Sequence, residues 1–168
     1  LATICMPYPR TSGTDLYNGV SIPELGDQTT VYRPMMPTSY FKSQVLRAGK
    51  GDVRRDCTIV TEWNEKSFSN AWRGPKLWCP LMQNGQDGNN YKVYRYADAV
   101  LLLSEAYCEL GQYDDSIRYL NMVRSRAGLA DYGPFESYIK LREEIRRERG
   151  RELFGEFGRK YDLVRWGV

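Results

Sequence analysis

Apolar positions recur at helical spacing through the second half of the chain. Ala97, Val100, Leu101, Ser104, Tyr107 and Cys108 fall on one face, and Leu103 and Leu110 widen the stripe, which predicts an amphipathic helix. Gly111 suits the left-handed position that ends such a helix. A second helix is predicted through Tyr113, Ile117, Leu120 and Val123. It is stopped by Gly128 and then Leu129, an apolar residue placed to pack back onto the last turn. Only a short Gly111-Gln112 turn parts the two, so they form a tight antiparallel hairpin. A third helix is predicted from about Glu136 to Phe154, after the Gly133-Pro134 stop. Its seam is thin (Tyr138, Leu141, Ile145, Leu153) and the rest of it is charge. Glu143 with Arg147 and Glu148 with Arg151 stand at helix-supporting spacings.

The hairpin resembles a tetratricopeptide-type unit, with small and aromatic residues on the first helix, a glycine turn, and a tyrosine opening the second. One unit is visible, and such units need neighbours to cover their apolar faces. Residues 1–90 are patterned differently. They hold seven of the eight prolines, three of the four tryptophans and eight of the fifteen glycines, and apolar periodicity is hard to find. Thr30 to Arg33 and Cys57 to Trp63 are the short strand candidates. So much irregular chain predicts functional surface. The fold class that results is mainly α: a tetratricopeptide-like hairpin plus a further helix in 91–168, and a loop-rich half with short strands in 1–90, together one structural domain.

Composition narrows the function classes. At 168 residues the chain is one domain or part of one. The net charge of +3 is too mild to argue for nucleic acid. The longest aliphatic stretch, Val100 to Leu103, is far short of the ~20 residues that span a bilayer. There is no histidine, which removes Ser/His and Cys/His catalytic pairs and the usual zinc and haem ligands. The cysteines (Cys5, Cys57, Cys79, Cys108) match no zinc-knuckle spacing, and Cys108 reads as a buried free thiol. No metal or cofactor is expected. Asp87, Asn89 and Asn90 alternate oxygen ligands as calcium would want, but no terminal bidentate glutamate follows them.

Three successive blocks resemble the SusD/RagB family of outer-membrane nutrient-binding lipoproteins. Arg95-Tyr96-Ala97-Asp98-Ala99-Val100-Leu101-Leu102-Leu103-Ser104-Glu105-Ala106 is similar to the family's RYADVLLLYAEA helix, with Ser104 where alanine is usual. Leu120-Asn121-Met122-Val123-Arg124-Ser125-Arg126-Ala127-Gly128-Leu129 is similar to LNxVRxRAGL. Glu148-Arg149, Glu152-Leu153, Arg159, Asp162-Leu163 and Arg165-Trp166-Gly167 follow its ERxxEL…R…DLxRWG. Upstream, Asp52-Val53-Arg54 resembles a D-x-R turn. The resemblance implies non-catalytic capture of glycans, or of peptides in some members, as a lid over a TonB-dependent SusC-like transporter. It also implies a cell-surface location and a lipid anchor on a cysteine outside this stretch, both ends being read as cuts.

On that reading the motif residues Arg95, Asp98, Glu105, Arg124, Arg126, Glu148, Arg149, Glu152, Arg159, Asp162 and Arg165 form structural scaffold, since charged groups at packed helix faces need partners. Ligand contacts are expected in the loop-rich half. Aromatic rings stack on the C–H faces of sugars, and amides bond their hydroxyls. The candidates are Trp63, Trp72, Trp78, Tyr32 and Tyr40, with Asn64 and Asn70 as polar neighbours. Asp52 with Asp56 and Glu62 with Glu65 are the carboxylate pairs an enzyme reading would need. An adaptor binding a protein segment through the Ala97–Tyr107 stripe is the remaining alternative.

Overall fold

The computed structural model describes residues 8–9, 29–30, 41, 43, 51–63, 66–73, 76, 93–156 and 158–168. The chain divides into two compact units, residues 1–47 with 55–91, and residues 48–54 with 92–168. In chain order the elements are β1 (Tyr8–Pro9), β2 (Thr29–Thr30), α1 (Arg54–Thr58), β3 (Ile59–Trp63), β4 (Lys66–Arg73), α2 (Tyr96–Glu109), α3 (Tyr113–Arg126), α4 (Tyr138–Glu152) and α5 (Arg159–Trp166).

In the helical unit, α2 and α3 form the hairpin and α4 packs against both. Val100, Leu101 and Cys108 of α2 meet Leu120 and Val123 of α3 and Leu141 and Ile145 of α4, with Tyr113, Ile117, Tyr119, Tyr132 and Tyr138 around them. Leu101, Leu120, Leu141 and Ile145 are fully buried, each contributing about 1.5–3 kcal/mol of transfer free energy. The Ala97–Tyr107 stripe faces this core, so it is not open to an adaptor's target peptide. Cys108 is buried there as a free thiol.

The α2–α3 contact is close because small polar residues sit at its centre. Ser104 Oγ donates to the Ser116 carbonyl at 2.8 Å, and Ser116 Oγ returns a bond to the Ser104 carbonyl at 2.7 Å. Both residues are fully buried, and each hydroxyl satisfies itself on the facing backbone. The serine at 104 is matched by its partner across the interface.

Both helices of the hairpin end in the same way. Gly111 (φ +75°) and Gly128 (φ +76°) take the left-handed conformation that side chains resist. The next amides reach back a full turn, Gln112 N–H to Tyr107 O at 2.9 Å and Leu129 N–H to Arg124 O at 3.0 Å. Asn121 of α3 then brackets Tyr132, donating to its carbonyl and accepting from its N–H at 2.7 Å, so the α3–α4 linker is fixed. Ser137 caps α4 through the Lys140 amide. The predicted third helix is therefore Tyr138–Glu152, shorter than Glu136–Phe154 by two residues at each end. After a turn closed by Gly155 (φ +75°) the chain makes α5, an element the apolar pattern did not announce.

In the other unit, β1 pairs antiparallel with β2, and β3 with β4. The strand candidate at Cys57–Trp63 begins two residues later than expected, because Arg54–Thr58 is a short helix. Residues 66–73, read as irregular, form β4. Of the other strand candidate, Val31, Tyr32 and Arg33 lie outside the described residues.

Candidate functional site

The β3–β4 hairpin carries two of the candidate aromatic residues, Trp63 and Trp72. Trp63 ends β3 opposite Lys66, and Trp72 lies on β4 opposite Val60. The two tryptophan positions are thus on adjacent strands, offset by three residues along the ladder, about 10 Å. Between the pairs Val60–Trp72 and Glu62–Ser67 the register shifts, and residues 68–71, Asn70 among them, stand opposite Thr61 alone. A bulge of this kind bends the strand and breaks its regular pairing. Asn64, Trp78, Tyr32 and Tyr40 lie outside the described residues, as do Asp87, Asn89 and Asn90.

The motif residues of the helical unit are brought together in two ion-pair networks. In the first, Glu148 and Glu152, one helical turn apart on α4, point into a ring of guanidinium groups. Arg54 forks onto Asp52, with 2.9 Å from Nε to Oδ1 and from Nη2 to Oδ2. Its Nη1 donates to Glu148 at 2.6 Å and to Glu152 at 3.0 Å. Glu152 also receives Arg95 at 3.0 Å and Arg126 at 2.5 Å, while Arg95 clasps Glu156 with both nitrogens. Arg151 joins Glu148 to Glu144, and Arg124 bonds Glu144 at 2.7 Å.

In the second network Arg149 is bidentate on Asp162, at 2.9 and 3.0 Å. It also lies 2.9 Å from Asp98 Oδ1, a charge contact without hydrogen-bond alignment. Arg165 is bidentate on Glu105, at 2.6 and 2.5 Å, and the Trp166 indole donates to the same carboxylate at 2.7 Å. The Trp166 ring has the guanidinium groups of Arg146, Arg165 and Arg159 at 4.8, 5.0 and 5.2 Å from its centre. That cluster fixes α5 against α2 and α4. Glu105, Arg159, Asp162 and Arg165 are among the residues expected to form scaffold; Arg146 and the Trp166 ring that joins them were not foreseen.

The electrostatics of Asp52 and Glu152 oppose acid chemistry. Burial pushes the Asp52 carboxyl up, but the hydrogen bonds and charge of Arg54 outweigh it and hold the group below its ordinary range. For Glu152 burial acts in the same upward direction. It is overcome by the Arg54 hydrogen bond, the Arg126 charge and Arg95. A general acid needs the reverse shift. Arg54, desolvated but held by Asp52 and Glu148, is stabilised as the cation. Every one of these groups is committed to a neighbour within the fold. Among the described residues no cluster of three metal-ligating side chains exists, and no helix is long and apolar enough to cross a membrane.

Comparison with known proteins agrees with this architecture. SusD-like protein P25 of Formosa agariphila is 33% identical over 132 residues, which is 71% of this chain and 24% of that protein. A solved SusD superfamily protein from Bacteroides vulgatus superposes with a TM-score of 0.68 at 25% identity, over 84% of this chain and 34% of its own. Surface glycan-binding protein A from Bacteroides uniformis gives a TM-score of 0.62 at 24% identity, over 99% of this chain and 36% of its own. The chain thus spans about a quarter of the curated relative and about a third of these structures. The family model describing the SusD family matches residues 81–168, more than half of the sequence. The chain belongs to the SusD family.

Proposed function

We propose that this protein captures nutrient glycans at the cell surface without altering them, using the β3–β4 hairpin and its neighbouring aromatic residues as the binding surface. The observation that carries the reading is the pair Trp63 and Trp72 on one bulged hairpin in a chain of the SusD family. A tryptophan at either position offers a ring on which a sugar face can stack. Asn70 adds amide hydrogen-bonding capacity within the bulge. The Bacteroides uniformis relative is itself a surface glycan-binding protein. At 24% identity it lends the fold, and the ligand class for this chain rests on the family and the hairpin.

The reading extends to the rest of the system: delivery to a TonB-dependent SusC-like transporter, residence on the outer membrane, and a lipid anchor outside these residues. Absence of catalysis follows from the same reading, since the carboxylates with displaced proton affinity are held ionised by arginines. Calorimetry or affinity electrophoresis against a panel of polysaccharides and peptides tests it. A glycan hit weakened at least tenfold by Trp63→Ala with Trp72→Ala supports the site. Binding unchanged in that double variant sinks it. A hit with peptides alone keeps the capture role and changes the ligand class.

A further inference from the structure

The pairing of β3 with β4 sorts their residues by face. β3 is unbroken from Ile59 to Trp63, so its positions alternate. Ile59, Thr61 and Trp63 fall on one face, Val60 and Glu62 on the other. Residues directly opposite one another in a ladder share a face. Lys66 stands opposite Trp63 and Arg73 opposite Ile59, whereas Trp72 stands opposite Val60 and Ser67 opposite Glu62. The bulge adds its extra residues to β4 alone, so it leaves the count along β3 undisturbed. The two tryptophans therefore belong to opposite faces of the hairpin.

The charges divide along the same line. The two strands carry Glu62, Lys66 and Arg73 and no other charged residue. Both cations fall on the Trp63 face and the acid falls on the Trp72 face; neither cation stands opposite an acid. We propose that the Trp63 face is the ligand face and that its ligand is an acidic glycan, one bearing carboxylate or sulfate groups. The inference rests on the capture reading and deepens it by naming the substrate class. Lysine and arginine are almost never fully buried unless paired, so the face with two cations and no acid is the one turned to water. The face with Val60 and Trp72 is the one laid on the hairpin's own unit, and Trp72 is a packing residue. Trp63 offers stacking surface to a sugar ring. Lys66, across the ladder at about 5 Å, puts a cation beside that ring. Arg73 puts a second about 13 Å along the same face, with a planar fork that suits carboxylate or sulfate. A ring flanked by cations at intervals matches a chain whose sugars repeat their charge.

Affinity electrophoresis and calorimetry of the whole chain test it with two matched pairs: polygalacturonate against its methyl ester, and dextran sulfate against dextran. Each pair shares a sugar backbone and differs in charge. Circular dichroism checks that every variant is folded, and leucine replaces tryptophan so that apolar bulk is kept. The wild type should bind one charged polymer at least tenfold more tightly than its neutral counterpart, and less tightly as salt rises. Trp63→Leu should weaken that binding at least tenfold, as should Lys66→Gln with Arg73→Gln. Trp72→Leu should leave it within twofold. Neutral polymers bound as tightly as charged ones would overturn the inference and leave the capture reading standing. So would Trp72→Leu costing as much as Trp63→Leu, because the two faces would then not be distinct. Binding that needs the two cations but survives Trp63→Leu would overturn it too, as plain ion exchange. A protein that binds no glycan, in these pairs or in the wider panel, would overturn it together with the glycan reading.

Discussion

Gly111 and Gly128 provide a controlled pair, because they share a backbone conformation and differ in what surrounds them. An alanine at Gly111 meets nothing within 4 Å, so its cost is only that of a side chain in the left-handed region, about 1–2 kcal/mol. At Gly128 the same Cβ would stand 2.5 Å from the carbonyl oxygen of Gly51, inside the 3.0 Å that such contacts do not breach. The obstacle is backbone, so residues 51–53 must retreat. That retreat strains the Val53 N–H bond to Ala127 O, now 3.0 Å, worth about 1 kcal/mol. It also draws Asp52 and Arg54 away from Glu148 and Glu152. Gly128→Ala should therefore cost about 2 kcal/mol more than Gly111→Ala, a further 4–8 °C in Tm. Urea titrations of the two variants read the difference directly. Equal destabilisation would refute the idea that the 51–54 segment is seated on the end of α3.

The two ends of the ion-pair spectrum on α4 should also separate. Glu148→Ala removes a fully buried acceptor from Arg54 and Arg151 and should cost about 3–5 kcal/mol; Glu143→Ala, which loses only the exposed pair with Arg147, should cost about 0.5 kcal/mol or less. Chemical denaturation of both variants checks this. Asp52 and Glu152 have folded pKa values lowered from 3.8 and 4.5. Their stabilisation is fully present above those values and is lost as the pH falls through the lower folded ones. The urea midpoint should therefore be insensitive to these groups from neutrality to about pH 5 and decline steadily below about pH 4.5. A midpoint that holds constant down to pH 3 would contradict the networks.

The helical unit was legible wherever apolar period and punctuation agreed. The stripe from Ala97 to Cys108, the glycines at 111 and 128, and Leu129 behind the second helix each name a local physical requirement that short sequence can express. The partners of the charged residues were less legible, because pairing depends on approach across sequence separations as long as that of Arg54 and Glu148. A count of interleaved acids and bases on the third helix gives neutrality and no addresses. α5 was missed because its eight residues bury only Asp162, leaving no apolar period to see. β4 was missed for a related reason: its irregular register against β3 erases the two-residue alternation that marks a strand. The candidate site is the least legible part, since tryptophans punctuated by glycine and proline mark a surface without fixing its geometry.

Arg54 and Arg95 are forty-one positions apart in sequence, yet both bond the carboxylate of Glu152, one on each oxygen. The chain leaves the helical unit after Arg54 and re-enters it at Lys92, three residues before Arg95. One buried side chain thus acts as a clasp at the neck of a long excursion that includes the tryptophan hairpin. A closed excursion is cheap to lengthen, because doubling a loop adds only about 0.6 kcal/mol of closure entropy. The clasp therefore gives the fold a replaceable module. Changes of length between the two arginines are therefore expected to disturb the helical frame little.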